Sequence, residues 1–105
     1  MIARIWKGTV AAADADAYAD YLARTGVAAY AATAGNQGVY VLRRTTDAGC
    51  EYVLLSLWTS MDAVRAFAGD DPDRAVFYPE DDRYLVDRDL TVQHLEVAAH
   101  RAPDA

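Results

Sequence analysis

The chain holds a single cysteine, Cys50, among its 105 residues. It can form no internal disulfide and contains no Cys-pair zinc motif, and it fits a reducing compartment such as the cytoplasm. Basic residues are scarce: ten, with Lys7 the only lysine, stand against sixteen acidic ones, for a net charge of -6. A surplus of that sign repels the phosphate backbone that nucleic-acid binders must neutralise, which argues against DNA or RNA as partners. No run approaches the roughly 18 apolar residues of a membrane-spanning helix, and the opening Met1-Ile2-Ala3-Arg4-Ile5-Trp6 lacks a basic stretch followed by an apolar one. Neither membrane insertion nor secretion is expected. Internal repeats and low-complexity linkers are also missing. What remains is 53% hydrophobic and 25% charged, the balance of one globular domain able to bury roughly two thirds of its unfolded surface.

Residues 2 to 8 alternate, Ile2, Arg4 and Trp6 against Ala3, Ile5 and Lys7, and predict a first strand ending at Gly8. After Ala11-Ala12-Ala13, Asp14 or Asp16 is placed to cap a helix whose Tyr18, Tyr21 and Leu22 form one stripe. A short Ala-rich piece with Val27 and Tyr30 follows Gly26, and Gly35-Asn36-Gln37-Gly38 turns the chain. The runs Val39 to Thr45 and Glu51 to Trp58 read as a hairpin around Thr46-Asp47-Ala48-Gly49. Ser60 is an N-cap signal, and Met61, Val64, Phe67 and Ala68 trace the stripe of a second main helix ending at Gly69. Residues 70 to 89 carry eight acidic residues and three arginines, five of the six net negative charges, with Pro72 and Pro79 suited to start helical turns. This stretch reads as a solvated flap over a pocket mouth. Thr91 to Val97 alternates as a last strand. Residues 98–105 read as a flexible tail beyond a single domain of residues 1–97.

The order β, α, β, β, α, β is the split βαβ pattern, an α+β ferredoxin-like fold in which a four-stranded antiparallel sheet carries both helices on one face. The third strand is apolar on both parities, with Val53, Leu55 and Leu57 on one side and Tyr52, Leu54 and Trp58 on the other. Two helices cover only one face, so a second copy of the chain is expected on the other, as a face-to-face homodimer.

With these elements in hand, the turn Ala34-Gly35-Asn36-Gln37-Gly38-Val39-Tyr40 and the junction Leu55-Ser56-Leu57-Trp58-Thr59-Ser60-Met61-Asp62-Ala63, followed by Phe67, make the chain resemble the antibiotic biosynthesis monooxygenase-like members of the dimeric α/β barrel superfamily over about residues 2 to 97. The resemblance implies oxidation by O₂ of an electron-rich phenolic or polyketide-type compound, such as an anthrone or hydroquinone, without metal or flavin. Such a substrate becomes its own electron donor once deprotonated. The protein then supplies an apolar pocket between sheet and helices, a base, and donors that stabilise an anion.

On that reading His94, Trp6 and Tyr78 are the candidate catalytic residues, His94 as general base because its unperturbed pKa lies near neutrality, with Glu96 on the same strand face to orient it. Arg4 and Lys7 offer positive charge, and Tyr18, Trp58, Phe67 and Phe77 offer aromatic walls for a small planar substrate. Each has a plainer reading: aromatic rings as core, Arg4 in a salt bridge, Lys7 as a solvated charge, His94 facing water on an edge strand. No metal is expected. His94 and His100 lack ligand spacing, the acidic stretch lacks the D-x-D-x-D-G order of a calcium loop, and no Gly-Lys-Ser/Thr follows Gly35 and Gly38. Ser56, Ser60 and Cys50 have no sequence-visible base. Two alternatives stay open: a non-catalytic or ligand-sensing dimer of the same fold, and a haem-degrading enzyme. The haem-degrading relatives place a Trp where this chain has Phe67 and an axial His where it has Phe77 or Tyr78. Tyr78 is then the remaining candidate iron ligand.

Overall fold

The computed structural model describes residues 1–104; Ala105, the last residue of the expected tail, lies outside the described residues. Strand β1 (Ile2–Val10) leads through a short 3₁₀ turn into helices α1 (Ala15–Arg24) and α2 (Gly26–Ala31), then strands β2 (Asn36–Thr46) and β3 (Gly49–Trp58). Helix α3 (Met61–Ala68) follows, and after an irregular stretch come α4 (Asp81–Tyr84), β4 (Leu85–Arg88) and β5 (Gln93–Glu96). Residues 98–104 carry no helix or strand.

The sheet is antiparallel in the order β2-β3-β1-β4, with β5 also paired to β1. The α+β ferredoxin-like architecture is therefore as the sequence predicts, but the strand number is corrected from four to five. Strand β5 pairs with Ile2 to Ile5 of β1 and β4 with Gly8 to Val10, so two short strands share the place of one. Sequence patterning hides β4 because only Leu85 turns fully inward, while Val86 is 63% exposed among charged neighbours. Strand β1 also runs past Gly8, its expected end. A Cβ at Gly8 would collide with the Trp6 indole and Leu85, so this glycine makes room for the ring and does not break the strand.

Helix α1 buries the stripe Tyr18, Tyr21 and Leu22. Neither expected aspartate caps it; Asp16 instead reaches Arg43 of β2 at 3.0 Å. Thr25, between α1 and α2, returns its hydroxyl to the Tyr21 carbonyl at 2.8 Å. Helix α3 starts as expected, with the Ala63 N–H donating to Ser60 Oγ at 3.2 Å, and ends at Gly69 with φ +90°.

Alternate residues of β1 and β3 divide the molecule into two unequal sides. Trp6, Val10, Tyr52, Leu54 and Trp58 face the helices and are buried against Tyr18, Tyr21, Leu22, Tyr30 and Val64. On the opposite side Ile5, Val53, Leu55 and Leu57 are half-buried, while Tyr40, Leu42 and Leu95 are 61%, 46% and 51% exposed. Among the described residues no helix is long and apolar enough to cross a membrane.

Candidate functional site

The helix side encloses one aromatic cleft. Its floor comes from β1, where the two-residue repeat sets Arg4 and Trp6 on the same face, with Leu54 of the neighbouring β3 beside them. Helix α1 supplies Tyr18 and α2 supplies Tyr30; the outer wall is the irregular segment Val76, Phe77 and Tyr78, ending at Asp81. The Trp6 indole N–H donates to the Asp89 carbonyl at 2.9 Å, and its ring meets Phe77 edge-on at 6.2 Å. The cleft spans about 390 Å³ with its mouth included, but only about 20 Å³ admits the centre of a water molecule. That is room for about one water, far below the several hundred Å³ of a drug-sized ligand site.

Two charged side chains line the cleft from different walls. Arg4, 2% exposed, donates from Nη1 to the Pro72 carbonyl and to His94 Nε2, the latter at 2.9 Å, and from Nη2 to the Arg74 carbonyl at 3.2 Å. Its guanidinium also lies 5.8 Å from the Phe67 ring centroid. Burial holds its pKa below the usual arginine value, partly offset by the nearby Tyr30 phenol. Asp81, 4% exposed, accepts the Tyr18 hydroxyl proton at 2.9 Å and the Tyr78 backbone N–H at 2.6 Å. Burial, and then the Asp81 charge, push the Tyr18 phenol far above its ordinary value, so Tyr18 stays protonated and donates. The Tyr21 hydroxyl accepts from the Glu80 N–H at 2.8 Å, which ties the outer wall to α1 a second time.

His94 sits on β5 directly across from Arg4 and does not line the cleft. Its Nδ1 lies 3.0 Å from Asp73 Oδ1. Burial lowers its pKa, Arg4 lowers it further, and the hydrogen bond to Asp73 opposes both. A neutral imidazole donating from Nδ1 to Asp73 and accepting Arg4 at Nε2 satisfies every group. Both nitrogens of the expected general base are thus engaged inside the protein, one by Asp73 and one by Arg4. The Glu96 expected to orient it is not one of its partners. Lys7 lies on the opposite face of the sheet, exposed, because it follows Trp6 by one residue. Trp58 and Phe67 meet the Tyr30 ring edge-on in the core, at 5.8 and 4.6 Å between centroids, and do not line the cleft. Of the expected site residues the structure therefore brings Arg4, Trp6, Tyr18, Phe77 and Tyr78 together on the cleft lining and leaves Lys7, Trp58, Phe67 and His94 off it, with His94 and Phe67 touching it through Arg4.

Sequence reasoning missed Asp81, which it placed on a solvated flap. The available signal was in α1: Tyr18 and Tyr21 sit at i and i+3 on a buried stripe, and buried phenols need partners. The acidic run was the nearest source of one. Among the described residues no cluster of His, Cys, Asp and Glu is arranged to hold a metal ion.

A small antiparallel sheet with helices on one face and an aromatic cleft between them defines an α+β fold of the ferredoxin-like class. The profile of the antibiotic biosynthesis monooxygenase family matches residues 1–76, and the chain belongs to that family. The match ends before Phe77, Tyr78, Asp81 and Val92, so a third of the cleft lining lies beyond it. Similar solved structures include a Bacillus cereus protein classed by inference as an antibiotic biosynthesis monooxygenase, at TM-score 0.69 and 17% identity, covering 100% of this chain and 98% of that one. MhuD, a haem-degrader from Mycobacterium tuberculosis with two haems in its active site, matches at TM-score 0.68 and 17% identity, covering 97% and 100%. A MhuD variant with two manganese protoporphyrin IX per active site matches at 0.69 and 18%, covering 98% and 100%. At these identities the likeness establishes the fold. No curated protein matches the chain.

Proposed function

We propose that the protein is a cofactor-independent monooxygenase acting on a small planar phenolic or polyketide-type substrate in the helix-side cleft. The observation that carries the reading is the pairing of a buried cation, Arg4, with a buried carboxylate, Asp81, in one cleft walled by Trp6, Phe77 and Tyr78. The wall Phe77 to Asp81 moves outward to admit substrate, because the closed cleft holds about one water. A substrate hydroxyl or activated methylene gives its proton to Asp81, Arg4 stabilises the resulting anion, and the electron-rich ring reduces O₂. For an anthrone-like methylene the balance is one O₂ consumed, one oxygen entering as the new carbonyl and the other leaving as water. Trp6 and Phe77 exclude bulk water from the anion. In this scheme His94 positions Arg4 through Nε2.

The working unit is a homodimer of residues 1–97 in the cytoplasm. What supports the dimer is the bare sheet face: Tyr40, Leu42, Val53, Leu55, Leu57 and Leu95 form an apolar surface of the kind that marks association. Oxygen uptake with an anthrone or hydroquinone in chelator-treated buffer tests the enzyme, and turnover above the uncatalysed rate is the expected result.

One observation favours a rival, a ligand-sensing or non-catalytic dimer: the closeness of the walls. Binding of the same compounds without oxygen uptake would select it. The haem-degrading alternative draws on the likeness to MhuD. Burial, and then Asp81, raise the Tyr78 phenol above its ordinary value, which disfavours the phenolate that would ligate iron. A new Soret band on adding haemin would select that alternative.

A further inference from the structure

We propose that the cleft selects a flat aromatic anion and that Arg4 holds its charged oxygen. The inference deepens the reading of the cleft as a ligand site and rests on it, but its test reads binding and not turnover. Arg4 is 2% exposed and makes no ion pair among the described residues, whose arginine pairs all involve other arginines. Of the five N–H donors of a guanidinium, three go to Pro72 O, Arg74 O and His94 Nε2, all uncharged acceptors when the imidazole is neutral. The neutral phenol of Tyr30 stands beside the rest. The carboxylate of Asp73 makes no hydrogen bond to the guanidinium: it bonds the far nitrogen of the imidazole and acts on Arg4 only as a more distant charge.

A buried cation with no carboxylate in direct contact is costly, and protein groups normally supply one. Here the missing partner has one open direction, the cleft that Arg4 itself lines. The other charge in the cleft sets the orientation. Both oxygens of Asp81 already accept donors from Tyr18 and Tyr78, so an incoming anion is repelled from the α4 end and drawn to the β1 end. Arg88 does not compete for it: it lies over Phe77 at 4.9 Å and pairs with Asp82 at 2.8 Å. The aromatic walls require that the anion be carried on a flat ring. A carboxylate and a phenolate offer Arg4 the same chemistry, and the test separates them.

Calorimetric titration of the wild-type chain with 2-naphthoate and with 2-naphthamide compares a charged and a neutral ligand of nearly one shape. We expect the carboxylate to bind at least about tenfold tighter, as a hydrogen-bonded, partly desolvated charge pair should, and the preference to vanish in Arg4→Gln and persist in Arg4→Lys. In the second arm, 4-nitrophenol is titrated by absorbance with and without protein. A phenolate site lowers the midpoint of the bound phenol by about one pH unit, the same tenfold factor. A carboxylate preference alone identifies a carboxylate ligand, and a midpoint shift alone a phenolate. Equal affinity for naphthoate and naphthamide together with an unmoved phenol overturns the proposal, as does the failure of every probe to bind or a preference that survives Arg4→Gln. Should Arg4→Gln not fold, the wild-type comparison decides alone. Anion binding without oxygen uptake keeps this inference and removes the monooxygenase; oxygen uptake without anion preference does the reverse.

Discussion

The two faces of the sheet are built from the same residue types and behave as different surfaces. Along β3, Cys50, Tyr52, Leu54, Ser56 and Trp58 are buried, while Glu51, Val53, Leu55 and Leu57 between them are only half-covered. The first set meets α1, α2 and α3 within the chain. The second meets its own neighbours on β1 and β2 and nothing above them. A leucine one residue along the strand is therefore core or surface according to parity alone, and the difference separates what the chain needs to fold from what it offers to another molecule.

That contrast is broken most sharply by placing one charge on each side. Leu54→Asp removes a packed leucine and puts a carboxylate among Trp6, Tyr18 and Tyr30 in the closed cleft. Arg4, which also lines it but already donates to Pro72, Arg74 and His94, offsets only part of the cost, and we expect loss of roughly 3 to 5 kcal/mol, enough to unfold a marginally stable domain. Circular dichroism and urea titration read this directly. Leu55→Asp should leave the helical signal intact and instead halve the solution mass measured by light scattering, because it lies on the proposed dimer face. Should Leu55→Asp unfold the chain as Leu54→Asp does, or the wild type already weigh one chain, the bare face is not an association surface.

Within the helix side, the next effect concerns Asp81. Asp81→Ala leaves the Tyr18 hydroxyl and the Tyr78 N–H without their acceptor, and each unpaired buried group costs about 1 to 3 kcal/mol. Asp81→Asn keeps the shape and one of the two acceptor oxygens, and should cost about 1 to 3 kcal/mol for the one donor left unpaired, less than Asp81→Ala, while abolishing proton transfer. In the proposed reaction it therefore lowers kcat about a hundredfold with a smaller fall in melting temperature than Asp81→Ala. Equal rates for Asp81→Asn and wild type would remove this carboxylate from the chemistry. A smaller loss, about 1 kcal/mol, is expected from Ser60→Ala, which deletes the acceptor of the Ala63 N–H at the start of α3, with no effect on ligand binding.

Parity also explains what the sequence disclosed and what it withheld. The alternation of Arg4 and Trp6 with Ile5 and Lys7 placed β1 and its two faces, and Ser60 and Gly69 bracketed α3, because these signals are local. The double apolar parity of β3 is likewise visible without coordinates. The site was half legible: Arg4, Trp6, Tyr18, Phe77 and Tyr78 converge, but which face of β1 carries the cleft depends on where the helices pack. Asp81 was lost because nothing distinguishes its carboxylate from seven others in residues 70 to 89 until Tyr18 is seen to reach it from α1. His94 is the opposite case. Its intrinsic acidity marks it as a base, yet the register that sets it against Arg4 is a long-range pairing that no local pattern encodes.

The smallest expected effect follows from that register. Because burial holds the folded pKa of His94 below the ordinary 6.5, the unfolded chain binds a proton here that the folded chain resists. The sign of the linkage is then fixed: stability is full above pH about 6.5, declines as pH falls through that value, and levels off below the folded pKa. A protonated ring would also set a second positive charge against the Arg4 guanidinium, which holds the Pro72 and Arg74 carbonyls. His94→Gln keeps an acceptor for Arg4 and removes the titration. Melting temperatures at pH 7.5 and 5.5 should therefore differ less in His94→Gln than in the wild type, a window above the ordinary carboxylate range. An identical drop in both proteins would place the proton elsewhere and leave the inner face of the sheet insensitive to pH.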